Sequence, residues 1–198
     1  LSKEFEAVGF FISDHPLNQF TEIFNDYKII DYLNFNNNEI KESNVAATLL
    51  KIQERKTAKG NSYAVLKLTD LTSVYELFIF SDILETNREI LNEGNSLILT
   101  LIKNISNDEN RFKRVNVQKI ASLKDLFNSP ISEVFFDVKS DTQIDEISKI
   151  LKEEGKTNVN INLITKDKNL KFKLKKPRNL DRKSLNLLRK REILASIV

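Results

Sequence analysis

RKTAKGNSYAVLKLTDLTSVYELFIF, residues Arg55 to Phe80, reads as strand, basic turn, strand, acidic turn, strand. Lys59-Gly60-Asn61 is the first turn, with Gly60 free to take positive φ because it has no Cβ. From Tyr63 to Leu68 the side chains alternate. Ala64, Leu66 and Leu68 point one way, and Tyr63, Val65 and Lys67 the other. Thr69 to Ser73 closes the second turn, and Tyr75 to Phe80 is a third strand in which one of Phe78 and Phe80 is expected in the core. This is the opening meander of a small closed β-barrel with its basic hairpin in solvent, a common frame for single-stranded nucleic acid.

The flanking residues complete the pattern. Val45 to Gln53 is the strand before the hairpin. Ser81 to Leu91 reads as a short helix with Ile83, Leu84, Ile90 and Leu91 as its apolar members, and Gly94 as its C-terminal cap. Ser96 to Ile105 and Arg111 to Ile120 make two further strands, joined by the polar turn 106–110. Five strands with a helix between the third and fourth is the order of an OB barrel. The expected fold is therefore α+β and multi-modular. A short helical segment (residues 1–43) precedes a five-stranded OB-fold β-barrel (44–123), and a small C-terminal α+β domain (124–198) follows.

In the first segment Glu4, Phe5, Val8 and Phe11 fall on one helical face. Pro16 breaks that helix, since it disfavours the α region for His15, and suits the first turn of the next. Leu17, Phe20 and Phe24 then form one apolar stripe, and Asn36-Asn37-Asn38 reads as a loop. In the last segment Val134 to Val138 is a strand, and Asp141 caps a helix over Ile144, Ile147, Ile150 and Leu151, with Gly155 beyond its end. Val159, Ile161 and Leu163 alternate with Asn160 and Asn162. After the turn Asp167-Lys168-Asn169, Leu170, Phe172 and Leu174 alternate with Lys171, Lys173 and Lys175, which predicts a hairpin with one apolar face and an outward lysine ladder. A final helix turns Leu185, Leu188 and Ile193 inward.

Bulk properties narrow the class. The chain of 198 residues is 40% hydrophobic and 30% charged, which suits a globular chain with real cores. No apolar run reaches the roughly 18 residues of a membrane helix, and no signal pattern opens the chain. The chain begins at Leu1 rather than Met, which suggests a piece of a longer protein. Zero Cys excludes disulfides and thiolate metal sites and fits a cytoplasmic setting without membrane attachment. The net charge of +3 is uneven. Residues 1–42 carry 3 basic against 8 acidic side chains, 43–123 carry 11 against 9, and 124–198 carry 17 against 11. Such asymmetry argues for distinct modules.

Candidate sites follow from residue type. His15 is the only histidine and has no visible nucleophilic or metal partners, so a local turn role is expected. Asp14 and Asp31 are expected to cap helices. Around the barrel hairpin, Arg55, Lys56 and Lys59 supply cations, while Tyr63 shares a face with Val65 and Lys67. A sequence-tolerant binder of single strands needs cations for phosphates and flat side chains for bases. Arg111, Lys113 and Arg114 extend that track. The alternative for the hairpin is a solvated edge guarded by lysines. From Lys166 to Arg191 there are 12 basic residues against Asp167 and Asp181. Lys171, Lys173, Lys175 and Arg178 among them are candidates for a protein partner, a phosphate backbone, or simply the wet face of a sheet. The four glycines are scattered, so no phosphate-binding glycine loop exists, and no catalytic set or cofactor site is legible.

The stretch Glu4 to Leu17, EFEAVGFFISDHPL, resembles a signature of the alpha subunit of bacterial DNA polymerase III, the C-family replicative polymerase, where it reads roughly E-x-E-x-L-G-F-Y-L-S-G-H-P-L shortly before an OB domain. Val8, Phe11 and Asp14 depart from it. Thr57, Lys59, Gly60, Leu68, Asp70, Glu76 and Phe80 are similar to the family's T-K-x-G, L-x-D and E-x-x-x-F pattern, and Arg88 and Gly94 also match. Ser73-Val74 stands where the family has Ser/Thr-Gly.

The resemblance implies a C-terminal piece of that subunit. It implies an OB domain on the single-stranded template and a following region that docks the tau subunit of the clamp loader within the replisome. It also implies that the palm carboxylates holding the catalytic magnesium lie far upstream, outside these residues, so no polymerisation and no cofactor is expected here. The rivals are the OB anticodon-binding domain of a class II aminoacyl-tRNA synthetase, a protein-binding OB module, and, within the family, an error-prone paralogue.

Overall fold

The computed structural model describes residues 14–104, 114–165 and 169–197. The expected first helix (Glu4 to Phe11), most of the GFFISDHPL motif, the turn 106–110, Arg111, Lys113, Lys166 and the turn residues Asp167 and Lys168 lie outside the described residues. The chain divides into two compact units, Leu1–Asn128 and Ser129–Val198. Both combine helices and sheet, and the sheets are mostly antiparallel.

The first unit is built on β2 (Glu42–Lys56), β3 (Ser62–Thr69), β4 (Val74–Phe80), β5 (Ser96–Asn104) and β6 (Arg114–Ser122). They lie in the order β4-β3-β2-β5-β6, each pair antiparallel, with the two-residue β1 (Ile29–Ile30) parallel to β2. Among the described residues no ladder joins β4 to β6, so the sheet does not close by hydrogen bonds into the expected barrel. Period-2 patterning decides which face is inside. Ala64, Leu66 and Leu68 on β3 meet Tyr75, Leu77 and Ile79 on β4 and Leu97, Leu99 and Leu101 on β5 in one core. Burying each such leucine is worth about 1.5–3 kcal/mol.

On the other face of β2 and β5, Ala46 and Ile98 pack against Leu17, Phe20 and Ile23. Those three belong to Pro16–Ile23, which forms a 3-10 helix rather than an α-helix. At three residues per turn the buried stripe is Leu17, Phe20, Ile23, and Phe24 is only half-buried, unlike the expected stripe. His15 is the N-cap, its Nδ1 accepting from the Leu17 N–H at 3.1 Å. Asp14 instead accepts from the Asn18 side chain. Asp31 caps α1 (Tyr32–Asn37) as expected, accepting from the Asn34 N–H at 2.7 Å, so Asn36 and Asn37 are helical rather than loop.

Two turns carry unusual loads. Asp70, 5% exposed, accepts at Oδ1 from the N–H and hydroxyl of both Thr72 and Ser73, and at Oδ2 from the Tyr32 N–H at 2.7 Å. The β3–β4 turn thereby needs no left-handed residue, which accounts for the Ser73-Val74 pair in place of Ser/Thr-Gly. Gly94, at φ +91°, sits two residues before β5 and its N–H donates to Leu49 O at 2.7 Å. It does not cap α2 (Ser81–Thr86), which stops at Asn87, shorter than expected. Lys103 is 3% exposed, and its ammonium donates to the carbonyls of Phe35, Asn36 and Asn38 at the end of α1. All three of its donors are thus used, which offsets the cost of burying the charge. The short helix α3 (Leu123–Asn128) closes the unit.

In the second unit β10 (Leu194–Ile197), β7 (Glu133–Val138), β8 (Glu154–Ile164) and β9 (Asn169–Lys173) lie in that order. β7 and β8 are parallel, the crossover being α4 (Asp141–Ile150). Val134, Phe136, Val138, Val159 and Ile161 face α4 and α5 (Arg182–Lys190), which contributes Leu185 and Leu188 to the core. Asp141 is the first helical residue and Ser140 the N-cap, so the expected cap is displaced by one. Gly155 lies within β8, where an added Cβ would come 2.5 Å from the Asn179 backbone. Close approach, not a helix end, is its reason. Ile193 is buried as expected but follows α5, leading into β10, a strand the sequence pattern did not reveal. The expected apolar face of β9 is not buried: all five of its residues are exposed.

Candidate nucleic-acid interface

Register brings the outward side chains of β2, β3 and β4 into rows. Arg55 is opposite Tyr63, and Tyr63 opposite Phe80. Gln53, Val65 and Phe78 make the next row, and Lys51, Lys67 and Glu76 the third. Directly opposed residues share a face, so Arg55, Lys51 and Lys67 stand on the same surface as Tyr63, Phe78 and Phe80. Neither phenylalanine is in the core: Phe78 is 52% and Phe80 47% exposed. The expectation that one of them is buried is therefore corrected. The reason is phase, since Tyr75, Leu77 and Ile79 take the inward positions of β4 and leave Phe78 and Phe80 in step with Glu76.

The aromatic groups are spaced like a platform. The Tyr63 and Phe78 rings are 6.5 Å apart at 30°. Arg114, at the start of β6, holds its guanidinium 5.3 Å from the centre of the Phe80 ring, the arrangement of a cation over a π face. Arg55 is steadied by a bond from its guanidinium to Gln53 at 2.9 Å. A concave patch of about 280 Å³ is lined by Lys51, Arg55, Lys67 and Phe78 among others, and one of about 220 Å³ by Phe80 and Arg114.

Of the residues singled out from sequence, Arg55, Tyr63, Lys67 and Arg114 come together here. Lys59 sits at the exposed tip of the hairpin, whose turn Gly60 makes at φ +84°. Lys56 is opposite Ser62, on the face away from Arg55. Arg88 was matched only by resemblance. Its guanidinium grips both oxygens of Glu54 at 2.7 and 3.1 Å and pairs with Glu85, tying the segment after α2 to β2. Phe78 and Phe80 were missed as surface groups, although strict alternation from Val74 carried the signal.

In the second unit Lys171 and Lys173 project from β9 on the face of Asn162 and Asn160. The Asn160 amide donates to Glu133 at 2.9 Å and Lys173 approaches the same carboxylate at 3.4 Å. These two contacts, the amide first, hold Glu133 below the usual carboxylate range. Lys175 is exposed past the strand, and Arg178 is half-buried where its backbone bridges to Glu154 and Thr157. Among the described residues no group of three or more His, Asp or Glu side chains converges as metal ligands, and no helix is long and apolar enough to cross a membrane.

No protein-family model matches the chain. Curated relatives do. A DNA polymerase III subunit alpha of Rickettsia conorii is 30% identical over 151 residues, 75% of this chain. That of Rickettsia felis is 32% identical over 129 residues, 64% of the chain, and that of Aquifex aeolicus 29% identical over 100 residues, half of the chain. The matched stretch is only 12%, 10% and 8% of those relatives' own lengths. Sequence likeness over most of its residues, at a small fraction of the relatives' length, makes this chain a member of the DNA polymerase III alpha subunit family with the span of a fragment of that protein.

Proposed function

We propose that the chain serves DNA-directed DNA synthesis during replication as a template-side accessory region. In this reading its first unit is an OB-type domain that binds single-stranded template, and its second unit docks the tau subunit of the clamp loader. One observation carries the first half: Tyr63, Phe78 and Phe80 share a surface with Arg55, Lys67 and Arg114. Bases stack on flat rings while phosphates meet cations, and neither interaction depends on base identity. The strand order, and the reach of Arg114 from β6 to Phe80 on β4, support the OB reading. The homologues' names support the role in replication. Polymerisation belongs, in this proposal, to the whole subunit, with magnesium held by carboxylates elsewhere in it.

The test is a fluorescence anisotropy titration of the 198-residue chain with an unstructured oligonucleotide. Contact with about four phosphates gives a salt slope near −3 and an affinity loss of roughly 50-fold between 50 and 200 mM salt. Phe78→Ala removes one stacking surface, worth about 1–3 kcal/mol per base. Salt-independent binding, or an unchanged affinity for both Phe78→Ala and Tyr63→Ala, would sink the assignment. For the second unit, Lys171→Glu with Lys173→Glu and Lys175→Glu should abolish retention of the tau subunit in a pull-down.

A further inference from the structure

The outer edge of β9 carries chemistry that the platform reading does not use. β9 pairs only with β8, and no other described strand borders it. Its register sets Ile161 opposite Phe172 and Leu163 opposite Leu170, and just beyond it the Leu174 N–H donates to Val159 O at 2.9 Å. Antiparallel pairs alternate between bonded and non-bonded residues. Leu174 is directly opposite Val159 in this register and bonded to it, so Ile161 with Phe172 and Leu163 with Leu170 are bonded pairs as well. The backbone N–H and C=O groups of Lys171 and Lys173 then point away from β8, toward the open edge.

The side chains on this edge are sorted by face. Leu170 and Phe172, on the helix side of the sheet, are 51% and 41% exposed, and neither joins the core beneath α4 and α5. Lys171 and Lys173 stand on the opposite face, where Glu133 reaches Lys173 at 3.4 Å, and from Asn169 to Leu180 there is no acidic residue. Lysines alone are the usual guard of an exposed edge. A guard does not call for two large apolar side chains left beside them.

We propose that β9 accepts an extended peptide from another protein as a fifth strand of this sheet, and that the peptide alternates acidic with apolar residues. The apolar residues cover Leu170 and Phe172, the acidic ones meet Lys171 and Lys173, and main-chain bonds form to the outward groups of those two lysines. The inference rests on the reading of the second unit as a docking module and supplies the geometry of that docking.

The probe is a fluorescein-labelled eight-residue peptide of alternating Glu and Val, titrated against the full chain. Saturable binding is expected, with amide NMR shifts confined to residues 169–173 and slowed amide exchange at Lys171 and Lys173. Lys171→Pro removes one outward N–H while leaving the bonds to β8, and should weaken binding about tenfold. Unchanged exchange in Val134 to Val138 verifies that this variant folds. Independently of any variant, N-methylation of the peptide along the edge facing β9 should abolish binding to the native chain, and along its other edge should not. Absence of saturable binding, equal binding of a peptide with Lys in place of Glu, or indifference to N-methylation overturns the proposal. If the glutamate substitutions release the tau subunit but Lys171→Pro retains it fully, docking stands and strand addition falls. If neither matters, both fall.

Discussion

The surface of β2, β3 and β4 and the edge strand β9 are built from the same ingredients, cations beside exposed apolar side chains, and differ in how the period of the strand sorts them. On the first surface the two kinds share a face: Arg55 lies opposite Tyr63, and Lys67 stands in the row next to Phe78. A ligand lying on that face meets both at once, which suits a chain with a flat base and a phosphate in every repeat. On β9 the kinds fall on opposite faces, Lys171 and Lys173 on one and Leu170 and Phe172 on the other. Only a ligand lying alongside, with alternation of its own, meets both. The same ingredients thus make two different surfaces, and the phase of each strand decides which.

The comparison can be broken most forcefully at the β3–β4 turn. Asp70→Ala leaves the Thr72, Ser73 and Tyr32 N–H groups without their acceptor, at a cost of about 1–3 kcal/mol for each one that stays buried and unpaired. Denaturant unfolding should report a loss of at least about 2 kcal/mol. The same turn fixes the register that sets Phe78 beside Val65, so oligonucleotide binding should fall in the folded fraction too. Binding intact in a destabilised variant would show that the platform does not depend on that register.

A gentler test exchanges charges between the two regions. Arg55→Ala with Lys67→Ala should reduce the salt slope by about 1.4 and weaken oligonucleotide binding about tenfold near physiological salt, as expected for two phosphate contacts to a single strand. Lys171→Glu with Lys173→Glu should change that affinity by less than about twofold. A larger effect from the β9 pair would mean that nucleic acid uses both regions and that their chemistries are not distinct.

The smallest effect expected is at His15. Burial holds its imidazole below the ordinary range, against the opposing pull of Asp70 and Asp14. The folded state thus favours the neutral ring, whose Nδ1 accepts from the Leu17 N–H. That contribution to stability is complete above about pH 6.5 and is lost as the pH falls through the lower folded-state value. An NMR titration of the ring proton should show a midpoint below about 6.5. A midpoint above it would remove His15 from the account of the 3-10 helix.

Local chemistry made much of this legible in advance. The alternation of Tyr63 to Leu68, the turn at Gly60 and the cap at Asp31 each depend on a few neighbouring residues, and each stands where patterning put it. The burial of Lys103 was not legible, because the carbonyls that receive it come from Phe35, Asn36 and Asn38, more than sixty residues away. The exposure of Phe78 and Phe80 is written in the period of β4, against the general tendency of phenylalanine to be buried.

What the sequence by itself determined was the five long strands of the first unit, the faces of β3, the cap at Asp31, and, through its resemblance, the family. These follow from period, turn residues and local hydrogen bonds, all of which act over a handful of positions. Tertiary structure alone decided that, among the described residues, no ladder links β4 to β6, that Gly155 yields to the Asn179 backbone, that Leu194–Ile197 pairs with β7, and that β9 keeps both faces exposed. Each of those outcomes depends on which distant segment arrives to cover or pair a strand, and a strand's own period carries no record of its neighbours.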